Sequence, residues 1–82
     1  MATRYGAQTR LKAGEVLKRA IEYFGPDGLG LPVTERTLTS VHLEGSGGYV
    51  DLHVRVGDRT DVDFVLHEFE AHAVEFLRRI QK

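Results

Sequence analysis

Residues 49–66, YVDLHVRVGDRTDVDFVL, decide the fold, because apolar and polar side chains alternate along them almost without a break. A period of two is typical of β-strands that bury one face. The tripeptide at residues 57–59 divides the stretch into two strands. A three-residue loop places Val54 opposite Val62, whereas a two-residue turn places Val54 opposite Asp61. Since a one-residue slip inverts every side chain, the apolar pattern predicts the three-residue loop.

The same register brings groups of opposite charge together on the polar side of this hairpin. Arg55 falls opposite Asp61, and His53 falls opposite Asp63. Cross-strand pairs of this kind contribute about 0.2–1 kcal/mol each. The register chosen for its apolar contacts therefore also places opposite charges across from each other on the polar face.

On either side of the strands the apolar period changes to three and four residues, which is typical of amphipathic helices. Residues 9–24 are predicted to form the first helix, with Thr9 as its cap and Gly25 as its stop. Residues 67–81 are predicted to form the second. Residues 1–8 are mostly polar, and we expect them to be flexible.

The predicted fold is α+β, in the order helix, three strands, helix (αβββα), within a single domain of residues 1–82. Residues 36–44, 49–56 and 60–66 are the three strands of an antiparallel meander. The sheet has one apolar face and each helix has one apolar stripe. Both helices are therefore predicted to pack on that face, which leaves the other face to water or to a partner.

Composition excludes several classes of function. The chain has 82 residues, a net charge of −1 and no cysteine, so it can form neither disulfides nor thiolate metal sites. No apolar run approaches the ~18 residues that a membrane span needs. We expect a soluble, cytoplasmic domain with no membrane partner. A chain this small, without covalent staples, gains stability if it self-associates.

The polar face of the sheet holds the candidate metal ligands. In the predicted registers His42, Asp51, His53 and Asp63 become neighbours, and imidazole and carboxylate groups are ligands for zinc and other divalent metals. Side chains on a flat sheet diverge, however, instead of converging on one ion. We expect no bound cofactor.

Catalytic chemistry has little support in the residues. Ser46 lies in a hairpin and not in the strand-to-helix turn of a nucleophile elbow. Ser40, His53 and Asp63 line up across three strands as hydroxyl, imidazole and carboxylate, but on an open face with no pocket around them. The chain is therefore predicted not to be an enzyme.

The predicted element order resembles that of the double-stranded-RNA-binding domain, although the resemblance is one of topology alone. Members of that family meet phosphates with lysines at the start of the second helix, where this chain has His67-Glu68-Phe69-Glu70. An acidic helix start repels a phosphate backbone. A nucleic-acid contact through the first helix stays open as an alternative, and its candidate cations are Arg4, Arg10, Lys12, Lys18 and Arg19.

Self-association is the preferred functional prediction. In a three-stranded sheet the first and third strands are both edges, and free edges pair readily with other chains. Leu38, Tyr49 and Val65 are the candidate apolar contacts on the open face. The sequence thus predicts a non-enzymatic protein-interaction module. It binds a second copy or another protein through the outer face or a strand edge. Nucleic-acid binding is the alternative, and a metal- or small-ligand-responsive domain is the third.

Overall fold

The computed structural model describes residues 2–45 and 47–80 of the chain. Its elements, in chain order, are β1 (Thr3–Thr9), α1 (Ala13–Phe24), β2 (Val33–Arg36), β3 (Ser40–Gly45), β4 (Gly48–Val56), β5 (Thr60–His67) and α2 (Glu70–Ile80). The strands form one antiparallel sheet in the order β1-β5-β4-β3-β2. The α+β class is confirmed. The three-stranded αβββα order is wrong, because two further strands lie outside the predicted meander.

The register of the central hairpin is the predicted one. Val54 pairs with Val62, and Val56 pairs with Thr60 across the three-residue loop. The β3–β4 pairing also agrees, with Val41 opposite Leu52. Strict alternation fixed these registers, because any other pairing turns carboxylates into the core.

The amino-terminal segment was expected to be flexible and instead contains an edge strand. β1 pairs with β5 along its whole length, so β5 is an interior strand and not an edge. The Tyr5 ring stacks on Phe64 with 5.6 Å between ring centroids. This pairing joins residues about 60 positions apart and leaves only a weak local signal, because the segment is mostly polar.

Thr9 is not the cap of the first helix. It ends β1, and α1 begins four residues later at Ala13, with no side-chain cap hydrogen bond. The Thr9 hydroxyl donates to the carbonyl oxygen of Ile80 at the end of α2 and accepts a hydrogen bond from the Leu11 amide at 3.2 Å. Thr9 therefore ties the end of β1 to the end of α2.

Two other predicted boundaries also differ. Residues 36–44 do not form one strand, because a turn closed by the Thr37 amide and the Ser40 carbonyl at 2.9 Å separates β2 from β3. The predicted helix at 67–81 begins at Glu70, since His67 still belongs to β5 and Glu68 has a positive φ of 80°. Met1, Ser46, Gln81 and Lys82 lie outside the described residues.

Both helices pack on the same face of the sheet, as predicted. α1 covers β3 and β4, and α2 covers β1 and β5. Three phenylalanine rings connect the two helices and the sheet. The centroid of the Phe76 ring lies 5.4 Å from that of Phe24 on α1 and 5.8 Å from that of Phe64 on β5. Neither helix that the structure describes has the length and apolar composition needed to cross a bilayer.

Candidate interaction surfaces

The face of the sheet that carries no helix is here called the outer face. The alternation of the five strands directs mainly polar side chains to it. They are Arg4, Gln8, Glu35, Ser40, His42, Glu44, Tyr49, Asp51, His53, Arg55, Asp61, Asp63, Val65 and His67. All four candidate metal ligands therefore lie on this face.

The structure brings together three of those four ligands. His42 Nδ1 lies 3.4 Å from one oxygen of Asp51, and His53 Nε2 lies 3.3 Å from the other. His42 also contacts Glu44 at 3.2 Å through Nε2. Two imidazoles thus share one carboxylate. Within residues 2–45 and 47–80, no group of three or more His, Asp or Glu side chains has the arrangement of a metal site.

The fourth candidate, Asp63, is engaged in an ion pair instead. The Arg4 guanidinium donates to both of its oxygens, at 3.0 Å and 2.5 Å. These hydrogen bonds hold the pKa of the Asp63 carboxyl below its ordinary value. Arg4 reaches this position because β1 pairs with β5, a neighbour that the sequence did not reveal.

The residues that line up as hydroxyl, imidazole and carboxylate do not form a relay. The Ser40 hydroxyl lies 2.7 Å from the Thr37 hydroxyl. His53 contacts Asp51, and the Asp63 carboxylate is bound by Arg4. Each of the three groups therefore has a different nearest polar partner.

The three candidate apolar contacts do not form one patch. Tyr49 stacks on the outer face between His42 and His67, at 5.8 Å and 6.0 Å between centroids. Val65 lies on the same face and is half-buried. Leu38 is 93% exposed and protrudes from the turn between β2 and β3, at the end of the sheet. Among the residues that the structure describes, the outer face is therefore a polar surface with two apolar side chains, Tyr49 and Val65.

The edges of the sheet are β1 and β2, not the two strands that the sequence suggested. β2 has four residues, follows Pro32, contains a bulge between Val33 and Glu35 and carries two charges. Proline, bulges, charge and shortness are the features that protect edge strands from pairing with other chains.

β1 has little of this protection. It runs for seven residues in unbroken register with β5, and it contains no proline. Its one charged residue is Arg4, whose side chain is bound to Asp63 on the outer face. Among the strands that the structure describes, none lies on the far side of β1. One edge of the sheet is therefore open and the other is protected.

An exposed valine on α2 flanks the open edge. His72 accepts or donates a hydrogen bond at 3.1 Å to the Tyr23 hydroxyl, so that side of α2 faces α1. Val74 lies two residues further along, about 200° around the helix, and so points away from α1 on the side of β1. It is 54% exposed. Sequence reasoning missed Val74, although an aliphatic residue outside the apolar stripe is a visible signal.

The candidate cations for nucleic acid are dispersed. Arg4 lies on the outer face, whereas Arg19 is partly buried on the helical side and bound to Glu15 at 3.1 Å. Lys18 is exposed on α1. Arg10 and Lys12 alone are close together, in the connection between β1 and α1. The first helix therefore does not present the five as one basic surface.

Comparison with protein-family models, with curated proteins and with solved structures finds no match. A functional proposal for this chain must therefore start from its own geometry.

Proposed function

We propose that this protein is a non-enzymatic interaction module that self-associates through the open edge of its sheet, with β1 of one copy pairing antiparallel to β1 of a second. The supporting observation is the contrast between the two edges, since β2 is short, bulged and doubly charged, whereas β1 is long and unbroken and its one charge is bound to Asp63. An unprotected edge presents a row of unpaired backbone donors and acceptors. A two-fold axis pairs identical strands antiparallel and closes the assembly at two copies.

The side chains of β1 favour one register for this pairing. With the axis beside Gly6, Arg4 falls opposite Gln8 of the second copy, and Tyr5 falls opposite Ala7. A large side chain thus meets a small one on the helical side, and glycine leaves room at the axis. A shift that centres the pairing on Ala7 instead sets Arg4 opposite Arg10, which like-charge repulsion disfavours.

The helices extend the contact in a second layer. Pairing at β1 places α2 beside its copy, with Val74 between them, so the exposed valine becomes buried. The two copies of α2 run antiparallel. The acidic first turn of one copy, with Glu70, therefore lies toward the basic last turn of the other copy, with Arg78. One strand and one helix form a small interface, near or below ~1,200 Å², so we expect a concentration-dependent equilibrium between monomer and dimer.

A pair of glycine variants tests the proposal. A Cβ at Gly6 meets only the Val62 carbonyl oxygen, at 3.8 Å, and a Cβ at Gly14 on α1 meets nothing within 4 Å. Gly6→Lys sets two lysines side by side at the axis, whereas Gly14→Lys makes the same chemical change outside β1, on α1. In sedimentation velocity over a concentration series, we expect the wild type and Gly14→Lys to approach twice the mass of the chain and Gly6→Lys to stay monomeric.

Circular dichroism and thermal melting of the three proteins establish that Gly6→Lys is folded. A wild type that stays monomeric throughout the series contradicts the proposal, as does a Gly6→Lys variant that dimerises as well as Gly14→Lys. If Tyr49→Asp dissociates a dimer that Gly6→Lys leaves intact, the contact is the outer face and not the edge.

A further inference from the structure

Five cations gather at one end of the sheet, which is here called the basic end. They lie in or beside three connections between elements: Arg10 and Lys12 between β1 and α1, Arg36 as the last residue of β2, and Arg55 near the end of β4 with Arg59 in the β4–β5 hairpin. The pairings of Thr9 with Thr60, and of Val56 with Thr60, place these connections at the same end. Asp58 lies within this group, and Asp61 faces Arg55 across β4 and β5.

These five side chains differ from most other cations of the described chain. All five are exposed, and none forms an ion pair with a described carboxylate. By contrast, Arg4, Arg19, Arg78 and Arg79 each contact an acidic side chain within 4 Å. The basic end therefore keeps its charge available for an external anion.

The opposite end of the sheet is acidic. Asp27, Glu44, Glu68 and Glu70 lie there, and Arg4, near the same end of β1, is bound to Asp63. The molecule thus has a charge dipole along its strands, which orients it toward a negatively charged surface with the basic end in front.

Apolar side chains also protrude from the basic end. Leu38 is 93% exposed and Val56 is 70% exposed. Their backbones are neighbours, because the Thr39 carbonyl accepts a hydrogen bond from the Val54 amide at 2.8 Å. From this bond the segments that carry Leu38 and Val56 both extend toward the basic end. Val56 and Leu11 also line a concavity of about 410 Å³, and its charged lining residues are Arg10, Lys12, Asp58 and Arg59.

We infer that the basic end docks on an anionic membrane surface. The cations face lipid phosphates while Leu38 and Val56 enter the headgroup region, so that charge and apolar insertion act together. Each Lys or Arg near an anionic bilayer contributes about a fivefold gain in affinity, and two kinds of contact are what make peripheral binding stable. A nucleic-acid partner uses the same cations, but it offers no apolar layer for the two exposed aliphatic side chains.

Vesicle sedimentation tests the charge component. Full-length protein is mixed with phosphatidylcholine vesicles that either contain or lack phosphatidylserine. We expect binding to the anionic vesicles alone, weakening as salt rises. Lys12→Glu should lower the affinity by about fivefold or more, whereas Lys18→Glu, the same charge reversal on the exposed side of α1, should leave it unchanged. Absence of binding, or equal effects of the two reversals, overturns the inference.

A double variant, Leu38→Ser with Val56→Ser, tests the apolar component. We expect it to lose most vesicle binding while it melts at the temperature of the wild type, because both side chains are solvent-exposed. Duplex DNA and duplex RNA serve as the competing polyanions. If the double variant binds anionic vesicles like the wild type and duplex nucleic acid displaces the protein from them, the basic end is a nucleic-acid surface and the membrane inference is wrong.

Discussion

Gly48 is a sheet position where a single added methyl group has a large predicted effect. A Cβ there overlaps the His67 carbonyl oxygen and lies 2.7 Å from the Phe69 ring and 2.8 Å from Glu68. We predict that Gly48→Ala destabilises the fold by about 1–3 kcal/mol, because the β4 backbone must shift away from β5. Gly14→Ala is the matched control and should stabilise α1 by up to about 1 kcal/mol. Urea unfolding of both variants measures the difference, and equal midpoints contradict it.

The Arg4–Asp63 pair makes part of the stability depend on pH. The hydrogen bonds from Arg4 lower the pKa of Asp63 in the folded state. A lowered pKa contributes stability above the unfolded value of about 4, and this stability is lost as the pH falls through the folded value. Both side chains are largely exposed, so we expect Asp63→Asn to cost only about 0.2–1 kcal/mol at neutral pH.

Unfolding at a series of pH values tests whether this stability is lost as the pH falls. The difference in free energy of unfolding between wild type and Asp63→Asn should shrink below about pH 4. Asp58→Asn, which removes an exposed hairpin carboxylate with no described ion pair, is the control and should not show this pattern. A constant difference down to pH 2 shows that the pair does not link stability to protonation.

Two threonines organise the junction between β1 and α1. Thr9 and Thr60 face each other across β1 and β5 and are both buried. Thr9 accepts from the Leu11 amide, and the Thr60 hydroxyl donates to the Leu11 carbonyl at 2.7 Å. The connection therefore turns from strand to helix while its backbone groups stay bonded.

We predict that Thr60→Val destabilises the protein by about 1–3 kcal/mol. Valine has nearly the same shape as threonine, but it leaves the Leu11 carbonyl without its hydroxyl partner in a partly buried site. Thr34→Val is the control, because its hydroxyl bonds the His42 carbonyl at an exposed position. Thermal unfolding of both variants compares them, and an equal loss shows that burial of the junction does not matter.

The elements differ in how well their sequences predicted them. β4 and β5 were predicted with their registers, because Val54, Val62 and their neighbours alternate strictly with polar residues. β1 was missed because its stability comes from β5, through Tyr5 stacked on Phe64 and Arg4 bound to Asp63. A local pattern carries no information about a partner strand so distant in the chain.

The candidate surfaces also differ in how far the sequence predicted them. The contact of His42 with Asp51 followed from the predicted register, whereas His53 contacts Asp51 along β4 and not Asp63, the carboxylate predicted to face it. The open edge could not be identified, because which strands are edges depends on the complete strand order. The basic end was equally hidden, since Arg10, Arg36 and Arg59 are far apart in sequence and meet only when the strands are folded into one sheet.

The charge distribution and the open edge have a joint consequence for the assembly. Antiparallel pairing of two β1 strands reverses the direction of the second sheet. The basic end of one copy then lies beside the acidic end of the other, which adds electrostatic attraction to the edge contact. The same reversal points the two basic ends of a dimer in opposite directions.

A dimer of this shape should bridge two membranes. Since its basic ends face opposite ways, each can contact a different anionic vesicle, and we predict that the wild type makes such vesicles cluster. Gly6→Lys should bind vesicles without clustering them, and Gly14→Lys, which adds a cation beside the basic end, should cluster them at least as well as the wild type. Lys12→Glu should both bind and cluster them weakly. Dynamic light scattering of vesicle mixtures, beside sedimentation of bound protein, separates these outcomes. Clustering by a monomeric Gly6→Lys variant shows that bridging does not use the β1 edge, and a dimeric wild type that binds without clustering shows that both basic ends lie on one side.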